Sequence, residues 1–280
     1  MISVVTVNYK TRAYLERMLE TLFQFHKEPL EVFVVDNASG DQLDDLSLRF
    51  PTVTFLRSEK NLGFAGGCNL AIGQAQGDDV VLVNPDVEFT SDAIFQIAKK
   101  MELDPTVGIG GIRLLNTDGS PQACVWRFPT PWSQLLLLLK IPHIFGETRS
   151  VGRWLMRDMH YEESQDVDQV MGAFFCIQRK LLDDIGLLDD KFFLWYEEVD
   201  FCRRAKNAGW RVRYFHDISA RHKKGSSFLS VSTWRKQAFL RRSLSRYMRK
   251  HHGWLGWILF TLPEPLFILM AILASFLKPR

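Results

Sequence analysis

The sequence lacks the cysteine pattern of a disulfide-stapled or zinc-binding protein. Only four cysteines occur in 280 residues, with no CxxC pair, at Cys68, Cys124, Cys176 and Cys202. Their scatter argues against a disulfide framework and a structural zinc site, and it favours a reducing, cytosolic environment. The chain also opens on an apolar, β-branched run at residues 2–7, so we expect no signal peptide.

Two common nucleotide-binding signatures are also missing. There is no P-loop, and the one glycine-rich stretch, residues 61–69 (NLGFAGGCN), lacks the spacing G-x-G-x-x-G. That stretch follows the third predicted strand, whereas a dinucleotide fingerprint follows the first. An ordinary Rossmann dehydrogenase is therefore disfavoured.

Acidic residues are almost absent from a long stretch near the C-terminus. Between Arg203 and Lys250, fifteen Lys and Arg residues stand against one acidic residue, Asp217. Such a stretch indicates a solvated basic face, a nucleic-acid-binding surface or a surface that binds anionic membranes.

No uninterrupted apolar run is long enough to cross a bilayer comfortably. Residues 254–277 are almost wholly apolar, but residues 263–265 (PEP) divide them into halves of about nine and twelve, where a spanning helix needs about twenty. Trp254 and Trp257 stand at the junction with the basic stretch. This order predicts an interfacial anchor or a re-entrant hairpin, and it favours a membrane over nucleic acid.

Predicted strands and helices alternate four times in the first ninety residues, with strands at residues 2–8, 30–35, 53–56 and 80–83. This order is typical of βαβ units with a mostly parallel sheet. The run at 80–83 is apolar enough to be buried on both faces, and it ends at Asn84-Pro85-Asp86, because proline has no amide hydrogen for the ladder. Asp86 is thereby placed at the edge of the sheet where such proteins bind ligands, as is Asp36 after the second strand. Taken alone, Asn-Pro-Asp is equally compatible with a simple turn.

The second half contains predicted strands at 107–114, 167–178 and 210–215 and a five-leucine run at 135–139. That run fits either a core helix or a helix on the membrane beside the C-terminal segment. Glu197, Glu198 and Asp200 begin a helix directly after an apolar run. One carboxylate suffices to complement the helix dipole. Three beside an apolar wall raise each other's pKa, which suits a general base.

Six short pieces together resemble the inverting glycosyltransferases of family 2, with a GT-A fold. Within that family the chain is most similar to the bacterial rhamnosyltransferase branch that builds cell-surface polysaccharides. In chain order the pieces are residues 5–9 (VTVNY), 35–39 (VDNAS), 61–65 (NLGFA), 84–86 (NPD), 197–200 (EEVD) and His222. The resemblance covers residues 2 to about 227.

The resemblance implies a set of site residues. Asp86 and His222 would hold Mg²⁺ or Mn²⁺, although the first acidic position of the metal motif carries Asn84. Glu198 would be the base that deprotonates the acceptor, with Glu197 able to share or take that role. The residues expected to form the substrate site are Asn8, Asp36, Asn61, Gly63, Asn84 and Asp200, with Asp36 on the nucleotide base.

The resemblance also implies an arrangement of domains and a setting. We expect a GT-A domain at 1–228, with a nucleotide-sugar-binding half (1–115) and an acceptor and catalytic half (116–228), followed by a basic and apolar helical tail at 229–280. The enzyme would work at the cytoplasmic face of the inner (plasma) membrane, held peripherally or by its C-terminus.

The expected donor is a dTDP- or UDP-sugar, with dTDP-rhamnose preferred and UDP-hexoses or galactofuranose open, and the acceptor is a lipid-linked saccharide. Nucleic acid is not an expected partner. Two other classes compete: a sugar-nucleotide-binding homologue without turnover, which the residues Asn84 and Glu198 keep open, and a basic nucleic-acid-binding protein, against which residues 254–277 argue.

Overall fold

The computed structural model describes residues 1–223 and 233–276. Within them, nine strands form one mixed sheet and two more form a small ribbon. The strands are β1 Ile2–Asn8, β2 Leu30–Asp36, β3 Val53–Arg57, β4 Asp79–Val83, β5 Val87–Phe89, β6 Val107–Leu115, β7 Val125–Trp126, β8 Gln165–Asp166, β9 Gln169–Val170, β10 Phe174–Gln178 and β11 Arg211–His222. The helices are α1 Arg12–Phe25, α2 Asp44–Arg49, α3 Gly63–Ile72, α4 Ala93–Leu103, α5 Pro131–Leu138, α6 Ile141–Phe145, α7 Arg149–Trp154, α8 Arg179–Ile185, α9 Glu197–Asn207, α10 Thr233–Thr261 and α11 Glu264–Phe276.

The first half of the sheet is parallel, as predicted. Strands β3, β2, β1 and β4 lie side by side in that order, each parallel to its neighbour. The valine-rich segments of β1, β2 and β4 are buried on both faces, because helices cover both sides of a sheet built from βαβ units. Asn8 therefore pairs in register with Asp36, and both lie at the carboxyl edge.

The second half of the sheet is mixed, since β10, β5 and β8 each run antiparallel to the strands with which they pair. β10 is antiparallel to both β4 and β6, while β6 and β11 are parallel. The strand predicted at 107–114 is confirmed, and the one predicted at 167–178 is divided into β9 and β10 by a turn at 171–173. Because β10 starts where β4 ends, that turn lies at the carboxyl edge beside Asn84, whose amide donates to the Ala173 carbonyl at 2.9 Å.

The last strand was predicted too short. We expected it to end at 215, but β11 continues to His222 past a register shift between Phe215 and Ser219. Its extension pairs with β5, so that His222 lies opposite Val87. Asp217 and the charged residues around it hid this continuation, because they break the apolar pattern from which a strand is recognised.

The C-terminal helices follow the predicted break. α10 is kinked at Gly253, where φ is 71°, and α11 begins directly after Pro263. Among the described residues, no one helix has both the length and the apolar composition of a bilayer span. Residues 236–261 and 264–270 meet that test only as a pair, and they are bent by 60° at their break.

The described part of α10 packs against the segment that precedes α9. Leu244, Tyr247 and Met248 are buried in a second, smaller core with Phe192 and Tyr196, the residues that precede α9. The predicted boundary between 228 and 229 lies outside the described residues. Residues of the predicted tail therefore pack against the segment that leads into Glu197 and Glu198.

The five-leucine run forms most of α5, which lies beside the C-terminal helices and contacts α6, α7, α10 and α11. Its most buried side chains are Ser133 and Gln134, whereas the leucines at 135–139 are only half-buried. Leu135 and Leu138 pack against the second core, so the run lies beside the C-terminal segment and is partly a core helix. Its contact with a membrane stays a prediction.

Candidate active site

Asn8, at the end of β1, ties together the loops that follow β1 and β2. It is fully buried, and its side-chain amide donates to Asp41 Oδ2 at 2.9 Å and to Ser39 Oγ at 3.2 Å. Its carbonyl oxygen accepts a hydrogen bond from Thr11 Oγ1 at 2.8 Å. The polar side-chain atoms of Asn8 are thus engaged in hydrogen bonds within the protein. Its predicted contact with substrate stays a prediction.

Asp36, at the end of β2, lies in a small cleft. Its Oδ1 accepts the Ser39 amide at 3.1 Å, which closes a tight turn. The cleft has a volume of about 300 Å³ and is lined also by Leu43, Phe55 and Arg57. Asp36 is only half-buried, so a carboxylate oxygen is open to a ligand in this cleft.

The glycine-rich loop at 61–63 is held by Asn37, which sequence reasoning did not single out as a site residue. Asn37 Oδ1 accepts the Leu62 amide at 2.8 Å, and its Nδ2 donates to the Gly63 carbonyl at 2.9 Å. Asn61 Oδ1 accepts the Gly63 amide at 2.8 Å. The predicted substrate residue Asn61 therefore has a structural role in this turn.

Gly63 joins this loop to the segment that precedes α9. Its φ is +75°, and a Cβ built on it would lie 2.2 Å from the Phe193 carbonyl oxygen. That same oxygen accepts the Phe64 amide at 2.9 Å. Only glycine fits both the backbone conformation and the close approach. Gly63 thus positions the segment that leads to Glu197.

Asp86 and His222 meet at the carboxyl edge. Both side chains are almost fully buried, and His222 Nε2 lies 3.3 Å from Asp86 Oδ1. Asp86 Oδ1 nevertheless has no hydrogen-bond donor among the described residues, because the ring nitrogen is close but not aligned as a donor. A buried carboxylate oxygen without a donor is costly, which marks this point as a place for a cation.

Gln122 fixes the tautomer of His222. The Gln122 amide donates to Asn116 Oδ1 at 2.9 Å, so its carbonyl oxygen faces His222 Nδ1 at 2.6 Å. Nδ1 must then carry a hydrogen, so the ring nitrogen able to present a lone pair to a metal ion is Nε2, which faces Asp86. A ring held by its second nitrogen is the usual arrangement of a metal-binding histidine.

The residues present fit a divalent cation as a partial set. Asp86 supplies oxygen and His222 supplies nitrogen, and the half-buried Asn84 side chain in the same turn makes no hydrogen bond with any described residue. No group of three or more His, Cys, Asp and Glu side chains in the described ranges is arranged to hold a metal. A Mg²⁺ or Mn²⁺ ion here would need further oxygens from a ligand such as a diphosphate.

The carboxylates Glu197 and Glu198 begin α9 after a strained turn. Trp195 and Tyr196 both have positive φ, 66° and 70°, a conformation that costs a non-glycine residue about 1–2 kcal/mol. The Tyr196 hydroxyl donates to Gln134 Oε1 on α5 at 3.3 Å. Such strain is common where a functional group has to be aimed in one direction.

Each of the two glutamates has one carboxylate oxygen that is kept from water. Oε2 of each is buried and has no hydrogen-bond donor among the described residues. Burial, and then the charge of Glu198, raise the pKa of Glu197 well above its usual value. Burial also raises the pKa of Glu198, while backbone amides at its own position and at Val199 lower it. Glu198 is half-buried whereas Glu197 is only 5% exposed, so Glu198 is the better placed of the two to meet an acceptor.

Glu198 adjoins the same edge as Asp86. A methyl group placed on Gly172 would lie 3.7 Å from Cβ of Glu198, and Ala173 carries the carbonyl that accepts the Asn84 amide. The turn at 171–173 thus connects the start of α9 with the end of β4. The structure brings together Asn84, Asp86, His222 and Glu198 at one edge of the sheet.

Asp200 belongs to a different contact. It is fully buried, and its carboxylate accepts hydrogen bonds from Arg204, Lys250 and His251 at 2.8–2.9 Å. Burial alone would raise its pKa, but the bonds to His251, Lys250 and Arg204 outweigh it and lower the pKa to about 2. Through these contacts Asp200 links α9 to α10. Its predicted contact with substrate has no support in these contacts.

Solved structures share this fold at low sequence identity. The structure of residues 1–349 of TarS from S. aureus is 18% identical, with a TM-score of 0.53 over 89% of this chain and 73% of its own. The mannosyltransferase PcManGT from Pyrobaculum calidifontis, solved with GDP-Man and Mn²⁺, is 18% identical, with a TM-score of 0.59 over 98% of this chain and 73% of its own. These likenesses bear out the predicted GT-A fold.

Curated relatives are similar in sequence over most of this chain. The low-salt glycan biosynthesis hexosyltransferase of Haloferax volcanii is 26% identical over 79% of the chain and 66% of its own length. The N-acetylglucosaminyl-diphospho-decaprenol L-rhamnosyltransferase of Mycobacterium tuberculosis is 26% identical over 81% and 77%. The rhamnosyltransferase WbbL of Escherichia coli is 22% identical over 82% and 87%. The chain thus spans about two thirds of the first of these proteins and more of the others.

The family assignment rests on the N-terminal half, which carries the parallel strands and Asp86. The family model described as glycosyl transferase family 2 matches residues 3–151, more than half of the chain. The chain belongs to glycosyl transferase family 2.

Proposed function

We propose that this glycosyltransferase moves a sugar from a nucleotide-sugar donor to a lipid-linked saccharide, with inversion, in cell-surface polysaccharide synthesis. The preferred donor is dTDP-rhamnose, since two relatives are named rhamnosyltransferases. The acceptor class follows the mycobacterial relative, whose name gives a diphospho-decaprenol acceptor. UDP-linked sugars are the alternative donors.

The observation that carries this proposal is the Asp86–His222 pair at the carboxyl edge. Its unpartnered oxygen and its fixed lone pair suit Mg²⁺ or Mn²⁺, and Mn²⁺ is present in the structural neighbour solved with GDP-Man. When bound, such an ion offsets the negative charge that develops on a diphosphate leaving group. The nucleoside would extend towards Asp36, which lies at the same edge two strands away.

The start of α9 supplies the base. The Glu198 carboxylate takes the proton of an acceptor hydroxyl, and the oxygen attacks the anomeric carbon in line with the bond to the diphosphate. That carbon–oxygen bond breaks, and its electron pair leaves with the nucleoside diphosphate. One displacement inverts the anomeric carbon. Glu197, the adjacent carboxyl group, is able to share or take that role.

The exposed apolar residues of the C-terminal helices support membrane attachment. Trp254, Leu255 and Leu262 are 62%, 83% and 74% exposed, next to the basic stretch that runs to Lys250. Apolar side chains beside Lys and Arg suit the boundary of an anionic membrane. The protein would act at the cytoplasmic face of the inner (plasma) membrane, held peripherally or by this C-terminal segment.

The test is a panel of nucleotide sugars measured with Mg²⁺, Mn²⁺ and EDTA, first for binding and then for transfer to a lipid diphosphate that carries N-acetylglucosamine. We expect metal-dependent binding of one donor and transfer with inverted anomeric configuration, read by NMR. Donor binding without transfer would support a homologue that has lost turnover. Binding of no donor by the folded protein would overturn the proposal.

A further inference from the structure

A groove outside the active site lies between α5 and α7. It has a volume of about 790 Å³, and its walls include Phe128, Trp132, Leu136 and Trp154. Trp132 is 61% exposed, which is unusual for a large aromatic residue on a helix that packs against four others. The groove is therefore open and partly apolar.

The rim of the groove is basic. Arg127, Arg149 and Arg153 line it, and Arg127 is paired with Asp158 at 3.3 Å. Arg149 and Arg153 are exposed, and their side chains make no ion pair or hydrogen bond within the described ranges. Other arginines nearby are neutralised, for example Arg157 by Glu147 at 2.9 Å. Two unpaired guanidinium groups one turn apart on α7 suit a phosphate, which arginine binds with two parallel hydrogen bonds.

The wall of the groove also contains an unused donor. The indole N–H of Trp154 is buried and has no acceptor among the described residues. A buried donor without an acceptor is destabilising by about 1–3 kcal/mol. A rotation of the Trp154 ring towards the groove would let an oxygen-rich ligand accept from it. Arginine, an unpaired N–H and an apolar floor together match a molecule with a phosphate head and a hydrocarbon tail.

The groove is one helix away from the proposed base. Gln134 lies on the opposite side of α5 from the groove. Its Oε1 accepts a hydrogen bond from the hydroxyl of Tyr196, the residue directly before Glu197. Phe128 lines the groove and also packs against both cores. A helix with its side chains is about 10 Å across, so a head group in the groove lies within reach of a sugar at α9.

The exposed apolar residues continue from the groove to the C-terminal helices. α5 contacts α6, which exposes Phe145 at 77%, and it contacts α11, which exposes Leu269 at 51%. A hydrocarbon tail leaving the groove would meet this apolar surface and not water.

We propose that the groove between α5 and α7 binds the diphosphate and the first part of the lipid tail of the acceptor, with Arg149 and Arg153 on the phosphates. This inference rests on the proposed function, since it gives the lipid-linked acceptor its own subsite. Arg149 and Arg153 would then contribute to acceptor specificity, because an acceptor without the diphosphate loses its contacts with them.

The test is calorimetric titration of the full chain in detergent with EDTA present, which removes any divalent ion at Asp86. The probes are farnesyl diphosphate, farnesol and inorganic pyrophosphate. We expect farnesyl diphosphate to bind at least tenfold more tightly than either of the other two. The double variant Arg149→Gln with Arg153→Gln should weaken farnesyl diphosphate at least tenfold, because both residues are exposed and unpaired and their loss leaves the fold intact.

The matched control is Arg157→Gln, an exposed arginine on the same segment that does not line the groove, and it should leave farnesyl diphosphate binding unchanged. Equal affinity of the double variant and the parent chain would overturn the inference. Farnesol binding as tightly as farnesyl diphosphate would reduce the groove to an apolar pocket, and pyrophosphate binding as tightly would reduce it to a free-phosphate site; either result overturns it as well.

Donor binding by the same samples separates this inference from the proposed function. If a nucleotide sugar binds in the presence of metal while the affinity for farnesyl diphosphate does not depend on Arg149 and Arg153, only the groove inference fails. If farnesyl diphosphate depends on the two arginines while no nucleotide sugar binds, the lipid diphosphate site stands and the proposed transfer fails.

Discussion

His222 Nε2 lies 3.3 Å from Asp86 Oδ1, although the two residues are far apart in the chain. The backbone brings them together: His222 pairs with Val87, and the Lys223 amide donates to the Asp86 carbonyl at 2.9 Å. The pair therefore forms with the sheet itself and does not wait for a ligand. A preformed site of this kind orients its ligand at little entropic cost.

Asp86→Ala should abolish the metal-dependent part of donor binding. Asp86 supplies the one carboxylate of the pair, and the neighbouring Asn84 carries no charge to replace it. The measurement is donor affinity with Mn²⁺ and with EDTA by calorimetry, where the ratio of the two should fall to about one. Asp118→Ala, on an exposed turn, is the control and should keep the ratio of the parent chain. An unchanged ratio in Asp86→Ala would remove this residue from the metal site.

Glu198→Gln should leave donor binding intact and slow transfer by about 10²–10⁴-fold, the usual contribution of a general base. Glutamine keeps the shape and removes the proton acceptor. The matched variant is Glu197→Gln, whose residue is buried whereas Glu198 is half-buried and can meet an acceptor. It should slow transfer far less. A larger loss in Glu197→Gln would exchange the two roles.

Gly63→Ala should destabilise the fold through two separate effects. The positive φ alone costs alanine about 1–2 kcal/mol, and the clash of Cβ with the Phe193 carbonyl adds to it. Gly119 isolates the first effect, because its φ is +84° and nothing lies within 4 Å of an added Cβ. Urea unfolding should show Gly63→Ala to be clearly less stable than Gly119→Ala. Equal losses would mean that residue 193 moves away freely.

The strands of the first half could be predicted because local pattern and final environment agree there. The run ending at Asn84 is apolar, is buried on both faces, and is stopped by Pro85, so its carboxyl end could be located from the sequence. Asp36 and Asp86 were placed at the same edge for that reason. The order of strands beyond β4 had no such signal, because β10 is antiparallel and short.

The support residues could not be predicted because their partners are distant in sequence. Gln122 is one polar residue in an irregular stretch, and only the fold shows that it meets His222. Asn37 stood inside a recognised motif, but its bond to the Gly63 carbonyl joins two loops. Asp200 was assigned to substrate through the resemblance at residues 197–200. Its partners Lys250 and His251 lie on a helix that was expected to be a separate tail.

Leu255→Asp combined with Leu262→Asp should reduce binding to anionic vesicles at least tenfold. Both side chains are exposed in the fold, 83% and 74%, and burying each in a membrane is worth about 1.5–3 kcal/mol. The control is Leu48→Asp with Leu103→Asp, two leucines of similar exposure on α2 and α4. Sedimentation with phosphatidylglycerol vesicles measures the effect. An equal reduction by both pairs would show that added negative charge, and not the C-terminal surface, controls binding.

Asp200→Asn should lower the free energy of unfolding at pH 7 by about 3–5 kcal/mol, because it leaves Arg204 and Lys250 beside an uncharged group. The size of that loss should depend on pH. The pKa of Asp200 is lowered from 3.8 to about 2, so its stabilisation is fully present above about pH 4 and is lost as the pH falls through about 2. The difference in the free energy of unfolding between the parent chain and the variant should therefore shrink by about 2 kcal/mol over that window.

Urea unfolding at a series of pH values measures this difference. The control is Asp183→Asn, at an exposed carboxylate, which should change stability by less than about 0.5 kcal/mol. A difference that stays constant from pH 7 to pH 2 would show that the contact between α9 and α10 does not depend on the charge of Asp200.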